Sequence, residues 1–171
     1  MINDFLTVSR LKSGKFNIEK VSTDLRKTIK TEVKSLENQF LSKEIKLKIN
    51  IDAHIPMINA DEQKLRQVMM NLIDNAMYYT PQGGEVEVTL RWSDKNLVFE
   101  VKDSGIGVPK ADQSMLFTRM YRASNAQKMR PDGTGLGLYL AKKVVLGHGG
   151  HIIFKSKEGE GSTFGFSIPI K

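Results

Sequence analysis

Residues 69–81 read M-M-N-L-I-D-N-A-M-Y-Y-T-P, and the interpretation of the whole chain starts from this stretch. Apolar residues recur in and before it at steps of three and four, at Leu65, Val68, Met69, Leu72, Ile73 and Ala76. That period predicts an amphipathic helix. Asn71 and Asn75 lie one turn apart on the border of the apolar stripe. Because asparagine is unfavourable inside helices, the pair indicates either a ligand site or a polar helix edge in contact with water.

The composition limits the class of protein. The chain has 171 residues, 40% of them hydrophobic, which suits one compact domain with a sizeable core. The absence of cysteine excludes disulfides and cysteine-based zinc sites. No apolar run approaches the roughly 20 residues that span a bilayer, and no signal peptide opens the sequence. The net charge is +7, but the lysines are scattered instead of clustered with aromatic residues, so we expect a solvated surface and no nucleic-acid partner.

The first part of the chain predicts a helix followed by a strand. Ser22 or Thr23 can cap the helix. Its apolar stripe consists of Leu25, Ile29, Val33, Leu36 and Phe40. Alternation of apolar and polar residues then predicts a strand with one buried face, at Ile45, Leu47, Ile49 and Ile51. Pro56 ends this strand.

The remaining elements predict the fold class. Asp61 is a suitable N-cap for the central helix, which we expect to run to about Tyr78. Residues 86–92 and 97–101 alternate on either side of a polar turn and predict a hairpin. Later patterns predict a helix that ends at Gly147 and strands at residues 151–154 and 162–170. Because a hairpin requires antiparallel pairing, we expect an α/β fold, a two-layer sandwich in which a mixed β-sheet packs on a layer of helices.

Two glycine-rich segments predict where a ligand could bind. Residues 103–109 read D-S-G-I-G-V-P, and residues 133–138 read G-T-G-L-G-L and lead into a helix. Glycine lets a backbone approach a ligand closely, and the free N–H groups of a helix N-terminus suit phosphate. The second segment lacks the Walker pattern, and Leu138 stands where a dinucleotide fingerprint needs glycine or alanine. The alternative for this segment is an ordinary tight connection.

Asp103 and the asparagine pair complete a possible nucleotide site. An ionised carboxylate only accepts hydrogen bonds, so Asp103 can accept one from the exocyclic amine of adenine. An Asx-type turn at a strand end is the alternative for this residue. The amide oxygens of Asn71 and Asn75 suit Mg²⁺, which binds few protein groups and keeps its waters and the substrate phosphates. Together these features predict a site for ATP and Mg²⁺.

Five segments, in this order and spacing, resemble the motifs of the catalytic ATP-binding domain of sensor histidine kinases. They are residues 71–76, 103–107, 116–122, 133–138 and 161–164. The resemblance extends from about Ser22 to the C-terminus. It implies a Bergerat-type sandwich that holds ATP between the helical layer and a flexible lid at about residues 123–132, with Phe117 and Tyr121 anchoring the start of the lid.

The same resemblance implies roles for individual residues. Asn75 would ligate Mg²⁺, Asn71 would assist near the phosphates, and Asp103 would bind adenine. Arg119 and Arg122 would be catalytic together with Asn71, as phosphate partners. The other nucleotide-binding residues would be Tyr79, Gly105, Ile106, Gly107, Lys128, Gly133, Thr134, Gly135, Leu136, Gly137, Leu138 and Thr163. Arg130 is a further candidate phosphate partner.

The resemblance also implies a larger protein. Residues 1–15 resemble the tail of the second helix of a dimerisation and phosphotransfer domain, and residues 16–171 would form the catalytic domain. This protein histidine kinase would transfer the γ-phosphoryl group of ATP to a histidine on that upstream domain, for relay to a response regulator receiver domain. We expect a homodimeric parent protein whose sensor region crosses the membrane while this domain is cytoplasmic. His148 matches a structural position of the family.

One departure from the family concerns Tyr78. Family members often carry lysine or arginine there, just before the aromatic residue matched by Tyr79. The substitution removes a possible cation from the phosphate site.

The position four residues before Asn75 generates the first prediction. Type II topoisomerases and mismatch-repair ATPases carry a glutamate there that activates water, whereas this chain has Asn71, and a neutral amide cannot act as a general base. The chain should therefore bind ATP with little turnover in a phosphate-release assay. Rapid hydrolysis would instead favour an ATPase with a hydrolytic cycle. Binding without transfer to any histidine would favour a degenerate nucleotide-sensing domain.

Overall fold

The structure is a computed structural model that describes residues 17–170. The segment expected to end a dimerisation helix, residues 1–15, lies outside the described residues. The strands are β1 (Val21–Thr23), β2 (Lys46–Ile51), β3 (Ile58–Ala60), β4 (Glu85–Ser93), β5 (Asn96–Asp103), β6 (His151–Lys157) and β7 (Gly161–Pro169). The helices are α1 (Leu25–Ser42), α2 (Glu62–Tyr79), α3 (Lys110–Gln113), α4 (Ser124–Met129) and α5 (Gly137–Gly147).

The main sheet is mixed, as the sequence predicts. Its five strands follow the order β2-β4-β5-β7-β6. β2 and β4 are parallel, and the other neighbouring pairs are antiparallel. The predicted hairpin is β4-β5, and its turn residues Asp94 and Lys95 both have positive φ, 49° and 62°. This turn matches the right-handed twist of the strands.

The core lies between this sheet and the helices α1, α2 and α5. Residues of β4 are alternately buried and partly exposed, which shows that the helices cover one face of the sheet. Leu65, Met69 and Ile73 of α2 are fully buried in this core, and the Phe99 and Phe166 rings of the sheet lie 5.4 Å apart. Burying the apolar stripe of α2 against the sheet places the border of that stripe, with its half-buried asparagines, at the edge of the core.

The N-terminus of α1 differs from the prediction. Its cap is Asp24, whose side chain accepts a hydrogen bond from the Lys27 N–H, and not Ser22 or Thr23. Ser22 and Thr23 belong instead to β1, which pairs with β3 in a small antiparallel sheet. The pairing with a distant segment determines their conformation, and a local pattern does not reveal it.

Two further elements depart from expectation. The lid segment at residues 123–132 lacks an apolar period, yet it contains the short helix α4. Strand β2 is only half covered, with Ile49 41% exposed, because β2 lies at the edge of the sheet. The sequence pattern predicts one fully buried face for this strand.

Gly159 in the β6-β7 turn and Gly161 at the start of β7 provide a matched test of tertiary packing. Both have positive φ, but a Cβ at Gly161 would overlap the carbonyl oxygen of Asp103, whereas a Cβ at Gly159 would meet no atom within 4 Å. Gly159→Ala should lower the free energy of unfolding by about 1 kcal/mol, the cost of the backbone conformation alone. Gly161→Ala should lower it by about 3 kcal/mol or more, because β5 must move. Urea denaturation of both variants measures the difference, and equal losses would contradict the contact.

Candidate functional site

A cavity of about 520 Å³ opens between α2, the end of β5, the lid and the N-terminus of α5. The predicted site residues in its wall are Asn71, Asn75, Tyr79, Asp103, Ile106, Gly107, Arg122, Gly133, Thr134, Gly135, Gly137 and Leu138. These residues come from four separate parts of the chain. The fold therefore brings together the groups that the sequence proposes as one site.

Five predicted site residues lie outside the wall of this cavity. Arg119 and Lys128 are exposed on the surface, and Leu136 is 1% exposed in a small apolar cluster. Thr163 is partly exposed, while its two neighbours on β7, Ser162 and Phe164, line the cavity. Strand alternation accounts for this, because successive side chains point to opposite faces.

The fifth residue, Gly105, is buried behind the wall. A Cβ at this position would lie 2.5 Å from the carbonyl oxygen of Tyr79, and the next residue, Ile106, donates its N–H to that oxygen over 3.1 Å. Glycine here allows the loop after β5 to approach the C-terminal end of α2. Gly105 therefore joins two walls of the cavity.

Asp103 ends β5 at the bottom of the cavity and is 8% exposed. Its Oδ1 accepts hydrogen bonds from the N–H groups of Gly105 and Ser162, over 2.8 and 3.2 Å. Burial raises the pKa of Asp103, and these two hydrogen bonds partly offset the rise. Within the described part of the chain, Oδ2 has no hydrogen-bond donor, so it can accept one from a ligand.

Asn71 lies where the N-terminus of α5 meets α2. A Cβ at Gly137, the first residue of α5, would overlap the Asn71 side chain, so only glycine permits this approach. The Nδ2 atom of Asn71 is buried without a hydrogen-bond partner among residues 17–170. No side chain caps α5. A buried amide donor beside an uncapped helix N-terminus suits an anion such as phosphate.

Asn75 lines the cavity one turn further along α2, and none of the residues that the structure describes forms a hydrogen bond with its amide. Across those residues, no cluster of three or more His, Cys, Asp or Glu side chains is placed to hold a metal ion. A cation could therefore not be held by a carboxylate cage here. The amide oxygen of Asn75 fits Mg²⁺, which uses few protein ligands when it also binds phosphate.

The lid begins at a fixed anchor. Asp112 on α3 accepts hydrogen bonds from the Tyr121 hydroxyl over 2.7 Å and from the backbone and side chain of Ser124 over 2.8 Å each. Phe117 packs against the rings of Phe154 and Phe164, with centroids 5.8 and 6.4 Å apart. These contacts agree with Phe117 and Tyr121 as the anchors expected from the sequence.

Arg122 connects parts of the lid segment to one another through hydrogen bonds. Its guanidinium donates hydrogen bonds to the carbonyl oxygens of Pro131 over 3.0 Å, Ala126 over 3.3 Å, and Arg130. These acceptors surround the C-terminus of α4, where the last carbonyl groups of a helix are not all paired within it. In this arrangement Arg122 stabilises the lid, and a contact with phosphate would require it to release these carbonyls.

Asn125 is a polar group of the cavity that sequence reasoning missed. Its Nδ2 donates to the carbonyl oxygen of Gly107 over 2.9 Å, which fixes the amide orientation. Its Oδ1 is then buried and has no partner within residues 17–170. An asparagine on a short helix carries no motif, so nothing in the sequence indicates this position.

The unpaired polar atoms differ in character between the two ends of the cavity. Near the end of β5, Asp103 Oδ2 and Asn125 Oδ1 are acceptors. Toward the start of α5 and the end of the lid, Asn71 Nδ2 and Arg130 Nε are donors. The base of an adenine nucleotide has amine donors, and its phosphates have only acceptors. Fold and site together define a nucleotide-binding domain.

Comparison with known proteins gives the same class. The family described as "Histidine kinase-, DNA gyrase B-, and HSP90-like ATPase" matches residues 60–171. Sensor histidine kinase WalK of Bacillus subtilis (strain 168) is 42% identical over 116 residues, which cover 67% of this chain and 19% of WalK. The chain therefore belongs to this family, as a catalytic ATPase domain of the histidine kinase type.

Solved structures share the fold. Full-length ShkA in complex with AMPPNP has a TM-score of 0.83 and 26% identity, over 99% of this chain and 35% of ShkA. Histidine kinase ThkA in complex with response regulator protein TrrA has a TM-score of 0.76 and 21% identity, over 98% of this chain and 47% of that chain. The chain spans less than half the length of the curated relatives named by these comparisons. In the region 17–170, no helix is both long and apolar enough to cross a bilayer.

Asp103→Asn should separate stability from ligand binding. The Asn Oδ1 can accept both backbone hydrogen bonds, while its NH₂ group replaces the free Oδ2 acceptor and opposes the adenine amine. Calorimetry should show that the ATP affinity of the variant is reduced to about a tenth of the wild-type value or below. In the wild type, ATP affinity should also fall as pH decreases through the raised pKa of Asp103.

The stability of this variant should change in the opposite direction. Because burial raises the pKa of Asp103 above its unfolded value, the ionised carboxylate costs stability at neutral pH, and the cost disappears as pH falls through the folded-state pKa. Asp103→Asn should therefore melt at a higher temperature than the wild type at pH 7 and not at low pH. ITP, which has a 6-oxo group, serves as the control ligand, and equal loss of ATP and ITP would exclude the role in adenine binding.

Proposed function

We propose that this chain binds Mg·ATP and transfers its γ-phosphoryl group to a histidine on an upstream dimerisation domain. The observation that carries the proposal is the arrangement of polar atoms without a hydrogen-bond partner among residues 17–170. The buried Asn125 Oδ1 and the Oδ2 of Asp103 are acceptors at one end of the cavity, and buried donors lie at the Asn71 end. Such atoms cost stability unless a ligand completes their hydrogen bonds. An adenine nucleotide has the matching polarity along its length.

The nucleoside would occupy the end of the cavity formed by β5 and the last turn of α2. Asp103 accepts a hydrogen bond from the 6-amino group, and the Tyr79 ring, which lines the cavity, lies beside the base. Asn125 Oδ1 provides a second acceptor for an amine or ribose hydroxyl. Further contacts come from Ile106 and Gly107, while Gly105 and Thr163 lie outside the wall beside the residues that form it.

The phosphates would lie at the N-terminus of α5. Asn71 donates from its Nδ2, and the backbone N–H groups at the start of α5, which no side chain caps, would donate to the same phosphates. The residues that frame this contact are Gly133, Thr134, Gly135, Leu136, Gly137 and Leu138. Arg119, Arg122 and Lys128 are phosphate partners only if the lid rearranges, because two of them are exposed and the third is bound to carbonyl groups.

Asn75 would hold Mg²⁺ through its amide oxygen, together with the phosphates. Bound there, the ion would neutralise phosphate charge. The chain itself contributes position and polarity: α2 presents both asparagines to the same end of the triphosphate, and the lid limits access of water.

The transfer step needs a nucleophile from outside this domain. The imidazole nitrogen of the acceptor histidine forms a bond to the γ-phosphorus, the bond from that phosphorus to the bridging oxygen breaks, and ADP leaves with the electron pair. At Asn71 the chain has an amide, which is not a base and so cannot activate water in place of the histidine. The histidine proton passes to solvent, and the phosphohistidine is the product.

The larger protein is also part of the proposal. Residues 1–15 would end a helix of the dimerisation domain, and residues 16–171 would form the catalytic domain. The TrrA complex of ThkA and the names of the relatives support relay to a response regulator receiver domain. ShkA was solved in complex with AMPPNP, which is an adenine nucleotide, and this supports an adenine nucleotide as the ligand. Membrane attachment would come from the parent protein, with this domain in the cytoplasm.

The proposal predicts a magnesium-dependent affinity that requires Asn75. In calorimetric titrations, wild type should bind ATP about tenfold more tightly with Mg²⁺ than without it, and Asn75→Ala should lose that difference while keeping metal-free binding. Asn38→Ala, an exposed asparagine on α1, is the matched control. Preserved magnesium dependence in Asn75→Ala would disprove the metal assignment. With the upstream helices added, acid-labile phosphate on histidine should appear in the wild type and not in Asn75→Ala.

A further inference from the structure

The ring of Tyr78 faces two cations that come from distant parts of the chain. The Arg130 guanidinium carbon lies 4.6 Å from the ring centroid, and the Lys43 ammonium nitrogen lies 5.3 Å from it. Lys43 follows α1, and Arg130 follows the lid helix α4. All three residues line the cavity. An aromatic face attracts cations electrostatically.

Among residues 17–170 neither cation has a hydrogen-bonded ion pair, and the one ion pair of Arg130 is a long contact with the exposed Asp132. Arg130 Nε is buried without a hydrogen bond, and it lies 3.8 Å from Asp132 Oδ1. Lys43 has no ion pair with any of residues 17–170. The third cation of the cavity wall, Arg122, is bound to lid carbonyls. Lys43 and Arg130 are therefore the cations of the wall that remain available to an anionic ligand.

A second contact joins α2 to the lid. The Tyr78 hydroxyl donates a hydrogen bond to the Met129 carbonyl oxygen over a long 3.4 Å. Asp74, one turn before Tyr78 on α2, also lines the cavity.

We propose that Tyr78 is a positioning residue that holds Lys43 and Arg130 at the mouth of the cavity, as the cations that bind the phosphates of ATP. The role rests on the proposed function. The ring carries no charge itself and brings two charges together from elsewhere in the chain, one of which is carried by the lid. Binding of phosphate by Arg130 therefore also holds the lid against α2.

A purely structural role for Tyr78 gives a different expectation. If the ring only packs the lid against α2, its removal should weaken ATP and adenosine equally. If it positions cations, its removal should weaken ATP and leave adenosine unchanged, because adenosine has no phosphate. The loss should also diminish at high salt, because exposed charges are screened.

NMR titrations of the full chain with Mg·ATP and with adenosine test the role. Tyr78→Leu should lower ATP affinity about fivefold and change adenosine affinity less than twofold, whereas Tyr78→Phe, which keeps the ring, should retain most of the affinity. Lys43→Met and Arg130→Met should each reproduce the selective loss, and combining either with Tyr78→Leu should give less than the product of the two effects. Lys143→Met is the matched control, since Lys143 lies 5.6 Å from the Tyr139 ring outside the cavity wall.

The outcomes separate the two proposals. If the wild type binds ATP and Tyr78→Leu binds it as tightly, or loses adenosine equally, the positioning role is wrong and the proposed function stands. If the wild type does not bind ATP, both are wrong. Should Tyr78→Leu fail to fold, as judged by thermal melting, unchanged ATP affinity of Lys43→Met and Arg130→Met would overturn the role.

Discussion

The site depends on one backbone contact, the hydrogen bond from the Ile106 N–H to the carbonyl oxygen of Tyr79. It attaches the loop after β5 to the last turn of α2, and it is sterically possible because Gly105 has no side chain. The same loop starts at Asp103, whose Oδ1 also accepts from Ser162 at the start of β7. The loop that starts at Asp103 is thereby joined to Tyr79, about 25 residues earlier in the chain, and to Ser162, about 60 residues later. These contacts form the closed end of the cavity.

A buried histidine joins the N-terminus of α2 to the C-terminus of α5. His148 accepts a hydrogen bond from the Asp61 N–H on Nε2, over 2.9 Å, and its Nδ1 lies 2.8 Å from the carbonyl oxygen of Val144. Burial lowers the pKa of His148, and the hydrogen bond to the Val144 carbonyl offsets part of that decrease, so the ring is neutral. Because Nε2 accepts a hydrogen bond, Nδ1 carries the proton. The start of α2 is thereby bound to the end of α5. The other ends of the two helices, with the asparagines and Gly137, are then held toward the cavity.

The polar groups of the cavity lower the stability of the folded chain and leave hydrogen-bonding atoms available to a ligand. A buried carboxylate with a raised pKa, a buried amide donor and an arginine nitrogen without an acceptor each reduce the stability of the folded chain. The core of α1, α2, α5 and the sheet tolerates these costs because its apolar residues are almost fully buried. The polar atoms that lack partners in the protein are then the ones that define which ligand fits.

The sequence by itself determined the elements with a strong local period, and its motifs indicated residues most of which the structure gathers around one cavity. The Asp61 cap, the extent of α2, the β4-β5 hairpin and the mixed sheet follow from patterns of polar and apolar residues. Only the tertiary structure decided that Ser22 and Thr23 pair in a strand, that Gly105 is a packing position, and that Lys43, Tyr78 and Arg130 meet. Each of these depends on contact between residues tens of positions apart, for which a local pattern carries no signal because the same side chains suit several conformations until a distant partner selects one.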